Sequence, residues 1–185
     1  MFVLDSSGSI GASNFQNMRN FVTTVVNALE IGPGRSQVGV IVFSSTARVQ
    51  FNLNTYSDKP SLLSAITRIP FLSGGTNTDE ALELLITQGF TGSRPDMEAI
   101  PKIAMVVTDG QSNNPPRTVQ AANQLHQTSI TTYAIGIGGA DVTELSAIAS
   151  THNGVKLVRY ISSFNAVELS ALQEELRDQA CTGEL

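Results

Sequence analysis

The chain has 185 residues, enough for one domain with a sizeable core, and its 41% apolar and 15% charged content is that of an ordinary soluble fold with modest surface charge. A net charge of −5, with 11 Lys and Arg scattered singly, argues against nucleic acid and anionic membrane surfaces as partners. No apolar run approaches the roughly 20 residues that a membrane span needs.

Strand-like and helix-like segments alternate. Phe2 to Asp5 reads as a first strand. Phe15, Met18, Val22, Val25, Val26 and Leu29 then recur at helical spacing, with Ser13 placed to cap the start and Gly32-Pro33-Gly34 to end the helix. Gln37 to Ser44 contains a near-continuous apolar run, the pattern of a strand buried on both faces. Arg48 to Leu53 alternates through Val49, Phe51 and Leu53. The short link from Ser44 to Ala47 makes it the antiparallel edge partner of the preceding strand. Asp58 to Ile69 predicts a short helix with Pro60 in its first turn, and Thr78 to Gln88 a second one. Ile103 to Val107 is another buried strand. Pro115-Pro116 opens a helix through Leu125, Thr131 to Ile137 is a strand, Val142 to Ser150 a helix, and Val155 to Ile161 the last strand. Asn165 to Gln179 predicts a terminal helix with Val167, Leu169, Leu172 and Leu176 as its apolar positions. This alternation implies an α/β, doubly wound fold whose mostly parallel sheet is covered by helices on both faces.

Three loops carry the candidate chemistry: Asp5-Ser6-Ser7-Gly8-Ser9 after the first strand, Ser73-Gly74-Gly75-Thr76-Asn77-Thr78-Asp79 before a helix, and Thr108-Asp109-Gly110-Gln111-Ser112 after a buried strand. Doubly wound sheets bring the loops at their strand carboxyl ends to one edge. Asp5, Ser7, Ser9, Thr76 and Asp109 are therefore expected to converge on one cation, with Asn77 and Ser112 at the rim where a ligand docks. Oxygen donors alone suit a hard ion, Mg²⁺ first, with Mn²⁺ or Ca²⁺ as substitutes. Two carboxylates neutralise a divalent ion on paper. If one binds through water, the ion stays electron-poor and attracts an external carboxylate. No general base is evident in these loops, so the expectation is recognition and not catalysis. Taken singly, each element has an ordinary reading as a turn, cap or hinge residue; their conjunction in this order is what points to a site.

The stretch from Phe2 to Ile10, the Ser73–Thr78 loop and Val106-Val107-Thr108-Asp109-Gly110 together resemble the three-part motif of the von Willebrand factor type A domain, and the resemblance covers nearly the whole chain. It implies a single domain over residues 1–185 with a central six-stranded sheet, one antiparallel edge strand and helices on both sides. It also implies a metal-ion-dependent adhesion site, usually Mg²⁺-loaded, formed by Asp5, Ser7, Ser9 and Thr76, with Asp109 as a ligand or water-bridged partner. After Ile135-Gly136-Ile137-Gly138-Gly139 the chain passes straight to Asp141-Val142-Thr143-Glu144-Leu145. That leaves no room for the extra helix of collagen-binding integrin inserted domains. The chain is more similar to the A domains of matrix proteins such as matrilins, collagen VI and thread matrix proteins. This resemblance implies a secreted, extracellular-matrix, non-enzymatic module that binds an acidic group of a matrix protein such as collagen.

Cys181 is the one cysteine, either a free thiol or half of a bridge whose partner lies upstream. Matrix-type relatives pair a cysteine at that position with one before the first strand, so by resemblance the chain reads as a domain excised from a larger protein. A haloacid-dehalogenase phosphohydrolase would need a second Asp at position 7, where this chain has Ser7. A serine hydrolase would need the G-x-S-x-G elbow, absent around Ser7 and Ser9; His126 and His152 read as solvated surface residues. Within the same fold, an intracellular A domain serving an ATP-driven machine is the alternative.

Overall fold

The computed structural model describes residues 1–91, 100–109 and 111–161. The predicted helix over Asn165–Gln179 and Cys181 lie outside the described residues. Six strands form the main sheet: β1 (Phe2–Asp5), β2 (Val40–Phe43), β3 (Ala47–Phe51), β4 (Lys102–Thr108), β5 (Ile130–Ile137) and β8 (Val158–Ile161), in the order β3-β2-β1-β4-β5-β8. All neighbours pair in parallel except β3, which runs antiparallel to β2 at one edge.

The sheet is covered on both faces because its central strands are apolar on both. In β1, Phe2 and Leu4 face the helices α1 (Gly11–Ala28) and α2 (Lys59–Thr67). Val3 faces α3 (Thr78–Gln88), α4 (Pro115–Leu125) and α5 (Val142–Ile148). The stripe read for α1 faces the sheet: Phe15, Met18, Val22 and Val26 are fully buried and Val25 nearly so, Phe21 joins them unpredicted, and Leu29 falls at the C-cap, partly buried; Ala81, Leu82 and Leu85 of α3 are fully buried. At about 1.5–3 kcal/mol for each large apolar side chain taken from water, these stripes outweigh local propensity in holding the short strands. The bounds of α3 and α4 match those read from the sequence. Asp58 caps α2 by accepting the Ser61 N–H, and Pro60 stands in its first turn.

Three expectations are corrected. Ser13 does not cap α1. The turn after β1 runs directly into the helix at Gly11, whose φ of +71° a residue with a side chain rarely adopts, and no side chain caps the start. The ladder of β2 begins at Val40, not Gln37. At Gly39 the chain passes so close to its neighbours that a Cβ would lie 2.6 Å from Met1 Cε and 3.0 Å from the Phe51 carbonyl. Val155 to Ile161 is not one strand. β7 (Val155–Lys156) folds back on β6 (Thr151–His152) through Asn153 and Gly154, at φ +47° and +78°, and only Val158–Ile161 joins the sheet. An Asn-Gly pair favours such a two-residue hairpin because both positions tolerate positive φ.

The strand order reverses between β1 and β4. From β1 the chain crosses to β2 on one side; from β4 it proceeds to β5 and β8 on the other. The connections after β1 and β4 therefore leave in opposite directions and open a crevice between the carboxyl ends of these adjacent strands.

Candidate metal centre

Asp5 ends β1 at this crevice and is fully buried. Its Oδ1 accepts the Ser7 N–H at 2.8 Å, and its Oδ2 accepts the Thr108 hydroxyl at 2.6 Å from the neighbouring end of β4. The register that places Leu4 beside Val107 makes this contact possible. The turn then lines up two hydroxyls. Ser7 Oγ lies 3.1 Å from Ser9 Oγ, and Ser9 Oγ donates to Asp109 Oδ1 at 3.1 Å, although Ser9 and Asp109 are 100 residues apart in the chain.

The second loop is drawn in by its backbone. Gly8 N–H donates to the Gly74 carbonyl at 2.9 Å, Leu72 N–H donates to Ser6 Oγ at 2.7 Å, and Asn113 N–H donates to the Thr76 carbonyl at 2.8 Å. Thr76 is buried, and its loop is tied through these bonds to both of the others. Glycine is required here: Gly74 has a φ of +103° and a Cβ on it would sit 2.7 Å from Ser45 Oγ, while one on Gly75 would sit 2.6 Å from Asn113 Nδ2. The turn between β2 and β3 completes the cradle, with Ser45 Oγ accepting the Gly75 N–H at 2.8 Å.

The electrostatics are those of a site short of positive charge. Burial pushes the Asp5 carboxyl up to about 6, against the downward pull of Thr108 and Ser7, and the nearby Asp109 charge adds to the rise. Burial likewise raises Asp109, while the Ser9 hydroxyl pulls it down. Among the described residues neither carboxylate joins a salt bridge, and no three His, Cys, Asp or Glu side chains cluster. The gathered donors are thus hydroxyls and two carboxylates, all oxygen. That set fits a hard divalent cation, which would offset the cost of a buried carboxylate beside a half-buried one.

The rim differs from the sequence expectation. Ser112 is buried, not rim-exposed: its hydroxyl donates to Glu144 Oε2 at 2.8 Å, and its N–H lies 3.1 Å from both Glu144 oxygens. Asn77 spends its amide on internal ties. Its Nδ2 donates to the Ser45 carbonyl at 2.8 Å and to Glu80 Oε1 at 2.9 Å, and its Oδ1 accepts from Asn113 Nδ2 at 2.7 Å. Thr108, Ser45, Asn113 and Glu144 were not among the expected site residues. Thr108 alone carried a signal, as the neighbour of Asp109 at a strand end; the others come from distant segments. An open trough beside Ser9 and Asp109 leads to Asp141, Val142 and Thr143. A more apolar cavity of about 260 Å³ lies at the opposite, amino end of the strands, against Met1, Phe2 and Val25. His126 is exposed, with Nε2 3.1 Å from the Ile148 carbonyl, and His152 is half-buried beside Asn153; neither approaches the cluster.

The family model for the von Willebrand factor type A domain matches residues 1–175. Matrilin-3 of Mus musculus is 35% identical over 179 residues, covering 95% of this chain and 37% of its own length. The collagen alpha-1(XII) chain of Notophthalmus viridescens is 33% identical over 178 residues, covering 96% of this chain and 18% of its own length. The chain thus spans well under half the length of these relatives. Among solved structures, proximal thread matrix protein 1 from the mussel byssus, described with a zinc-occupied MIDAS motif, superposes with a TM-score of 0.80 at 32% identity, covering 97% of this chain and 44% of its own. The sequence match, the six-stranded sheet with its antiparallel edge and the crevice cluster agree: this chain belongs to the von Willebrand factor type A domain family, in the extracellular-matrix form that the matrilins and collagen XII represent.

Proposed function

We propose that the domain is a non-enzymatic adhesion module of the extracellular matrix that binds a carboxylate of another matrix protein, collagen being the leading candidate, through Mg²⁺. Asp5, Ser7, Ser9, Thr76 and Asp109 would hold the ion. When bound, the cation supplies an electrophilic position that an incoming Asp or Glu oxygen can fill. The chain's own residues prepare that position. Thr108 and the Ser7 N–H orient the Asp5 carboxylate, Ser9 joins the β1 turn to Asp109, and the Gly74 carbonyl fixes the turn at Gly8. The observation that carries the reading is the Ser9–Asp109 contact across the β1/β4 crevice, which brings donors from two distant loops together without a cationic side chain among them. The gathered donors are all oxygen, the set that Mg²⁺ prefers.

The test is collagen binding by the isolated domain on a sensor surface, in Mg²⁺, in EDTA and after Mg²⁺ is restored, alongside calorimetric titration of the ion. Binding should vanish in EDTA and return with Mg²⁺. Collagen binding that persists in EDTA, or a chain that takes up no Mg²⁺, refutes the proposal.

A further inference from the structure

The buried Glu144 is unexplained by the needs of its own helix. Asp141-x-x-Glu144 has the spacing of a capping box, in which the glutamate turns back to the N–H of the cap residue. Asp141 does cap α5, accepting the Thr143 N–H at 2.7 Å and the Glu144 N–H at 3.3 Å. The Glu144 carboxylate instead reaches away from the helix, across to Ser112, and accepts both its N–H and its hydroxyl. Both residues are nearly inaccessible, at 6% and 5% exposure. Burying a carboxylate is costly unless donors meet it, and here the loop after β4 supplies them. That loop is tied at three successive residues: Gln111 Nε2 donates to Asp141 Oδ2 at 2.8 Å, Ser112 binds Glu144, and Asn113 N–H donates to the Thr76 carbonyl at 2.8 Å. The middle tie is buried, so water competes little with it.

We infer that Glu144 is a positioning residue for the metal centre: by holding Ser112 it anchors the Gln111–Asn113 stretch of the loop that carries Asp109, and so the place of the Asp109 carboxylate, from a helix that contributes no ligand. The inference rests on the metal reading given above. Outer contacts that orient ligating groups characteristically change metal affinity about 10- to 100-fold when removed.

Calorimetric Mg²⁺ titration of the parent chain, Glu144→Ala, Glu144→Gln and Ser112→Ala decides it, together with the unfolding midpoint of each metal-free protein. Glu144→Ala should bind Mg²⁺ at least about tenfold more weakly. Glu144→Gln keeps one acceptor oxygen for Ser112 and should recover most of that loss. A purely structural role would lower the metal-free midpoint of both variants and leave Mg²⁺ affinity unchanged. A cooperatively folded Glu144→Ala with parental Mg²⁺ affinity overturns the inference. Should that variant fail to fold, Ser112→Ala, which loses only the hydroxyl, decides instead: weaker Mg²⁺ binding supports the inference and parental affinity overturns it. A parent chain without Mg²⁺ affinity removes the metal reading and this inference with it, whereas normal parental binding with unaffected variants removes this inference alone.

Discussion

Asp5→Asn in the metal-free protein probes the central electrostatic feature of the crevice. The Asp5 carboxyl is raised from 3.8 to about 6 on folding, chiefly because it is buried. The folded state therefore holds its proton more tightly than the unfolded chain does. That contribution to stability is fully present below about pH 4 and is lost as pH rises through about 6. A rise of about two pH units corresponds to about 3 kcal/mol. Asparagine has nearly the same shape and keeps one oxygen to accept from Ser7 N–H or Thr108, but it does not titrate. Its altered hydrogen bonding costs about 1 kcal/mol. Metal-free Asp5→Asn should thus be more stable than the parent at pH 7 by about 2 kcal/mol, a midpoint gain of roughly 4–8 °C for a domain of this size, and slightly less stable at pH 4. Asp109 and Glu144 are also raised by burial, but both proteins carry them, so the difference between the two isolates Asp5. Urea denaturation at pH 4, 5.5 and 7 on metal-free protein measures it. Saturating Mg²⁺ should invert the order at pH 7, stabilising the parent and not the variant. An Asp5→Asn protein less stable than the parent at pH 7 without metal, by the same margin as at pH 4, would refute the reasoning.

Thr108→Val deletes the hydroxyl that donates to Asp5 at 2.6 Å while keeping the side-chain shape. It should cost about 1.5–3 kcal/mol at pH 7, where Asp5 is charged, and clearly less at pH 4, as read by denaturation of metal-free protein at the two pH values. Gly74→Ala combines a φ of +103° with a 2.7 Å approach to Ser45 Oγ and should cost about 1–3 kcal/mol, whereas Gly139→Ala, with nothing near its added carbon, should stay within about 0.5 kcal/mol of the parent; thermal unfolding of both variants compares them.

What could be read in advance followed the range of the forces involved. Helices α3 and α4 were legible because their signals are local: the apolar positions Ala81, Leu82, Leu84 and Leu85, and Pro115-Pro116 at the first turn. The antiparallel edge was legible because the link from Ser44 to Ala47 is too short for a parallel crossover. The meeting of Asp5, Ser7, Ser9 and Asp109 at one edge could be anticipated from topology, since alternating strands and helices put these turns at the same end of the sheet. Ser13 misled because tertiary geometry sets the entry into α1, and Gly11 absorbs it. The strand proposed from Val155 was too long because Asn153-Gly154, visible as a turn, has a stronger consequence when a hairpin partner lies on either side. Ser112 was misplaced at the rim because its partner, Glu144, is 32 residues away; no local pattern announces a side chain that leaves its own helix cap to serve another loop.

Ser9 and Asp109 meet only because β1 and β4, brought together from opposite halves of the chain, lie side by side. An unravelled polypeptide offers no comparable pocket of oxygens, so an ion that occupies the crevice discriminates almost completely against the denatured ensemble. Every tenfold excess of that ion over its dissociation constant then adds about 1.4 kcal/mol to the unfolding free energy. With such an ion in the crevice, the cation content of the surroundings would act as a dial on the folding equilibrium of the module, turned without touching a single covalent bond.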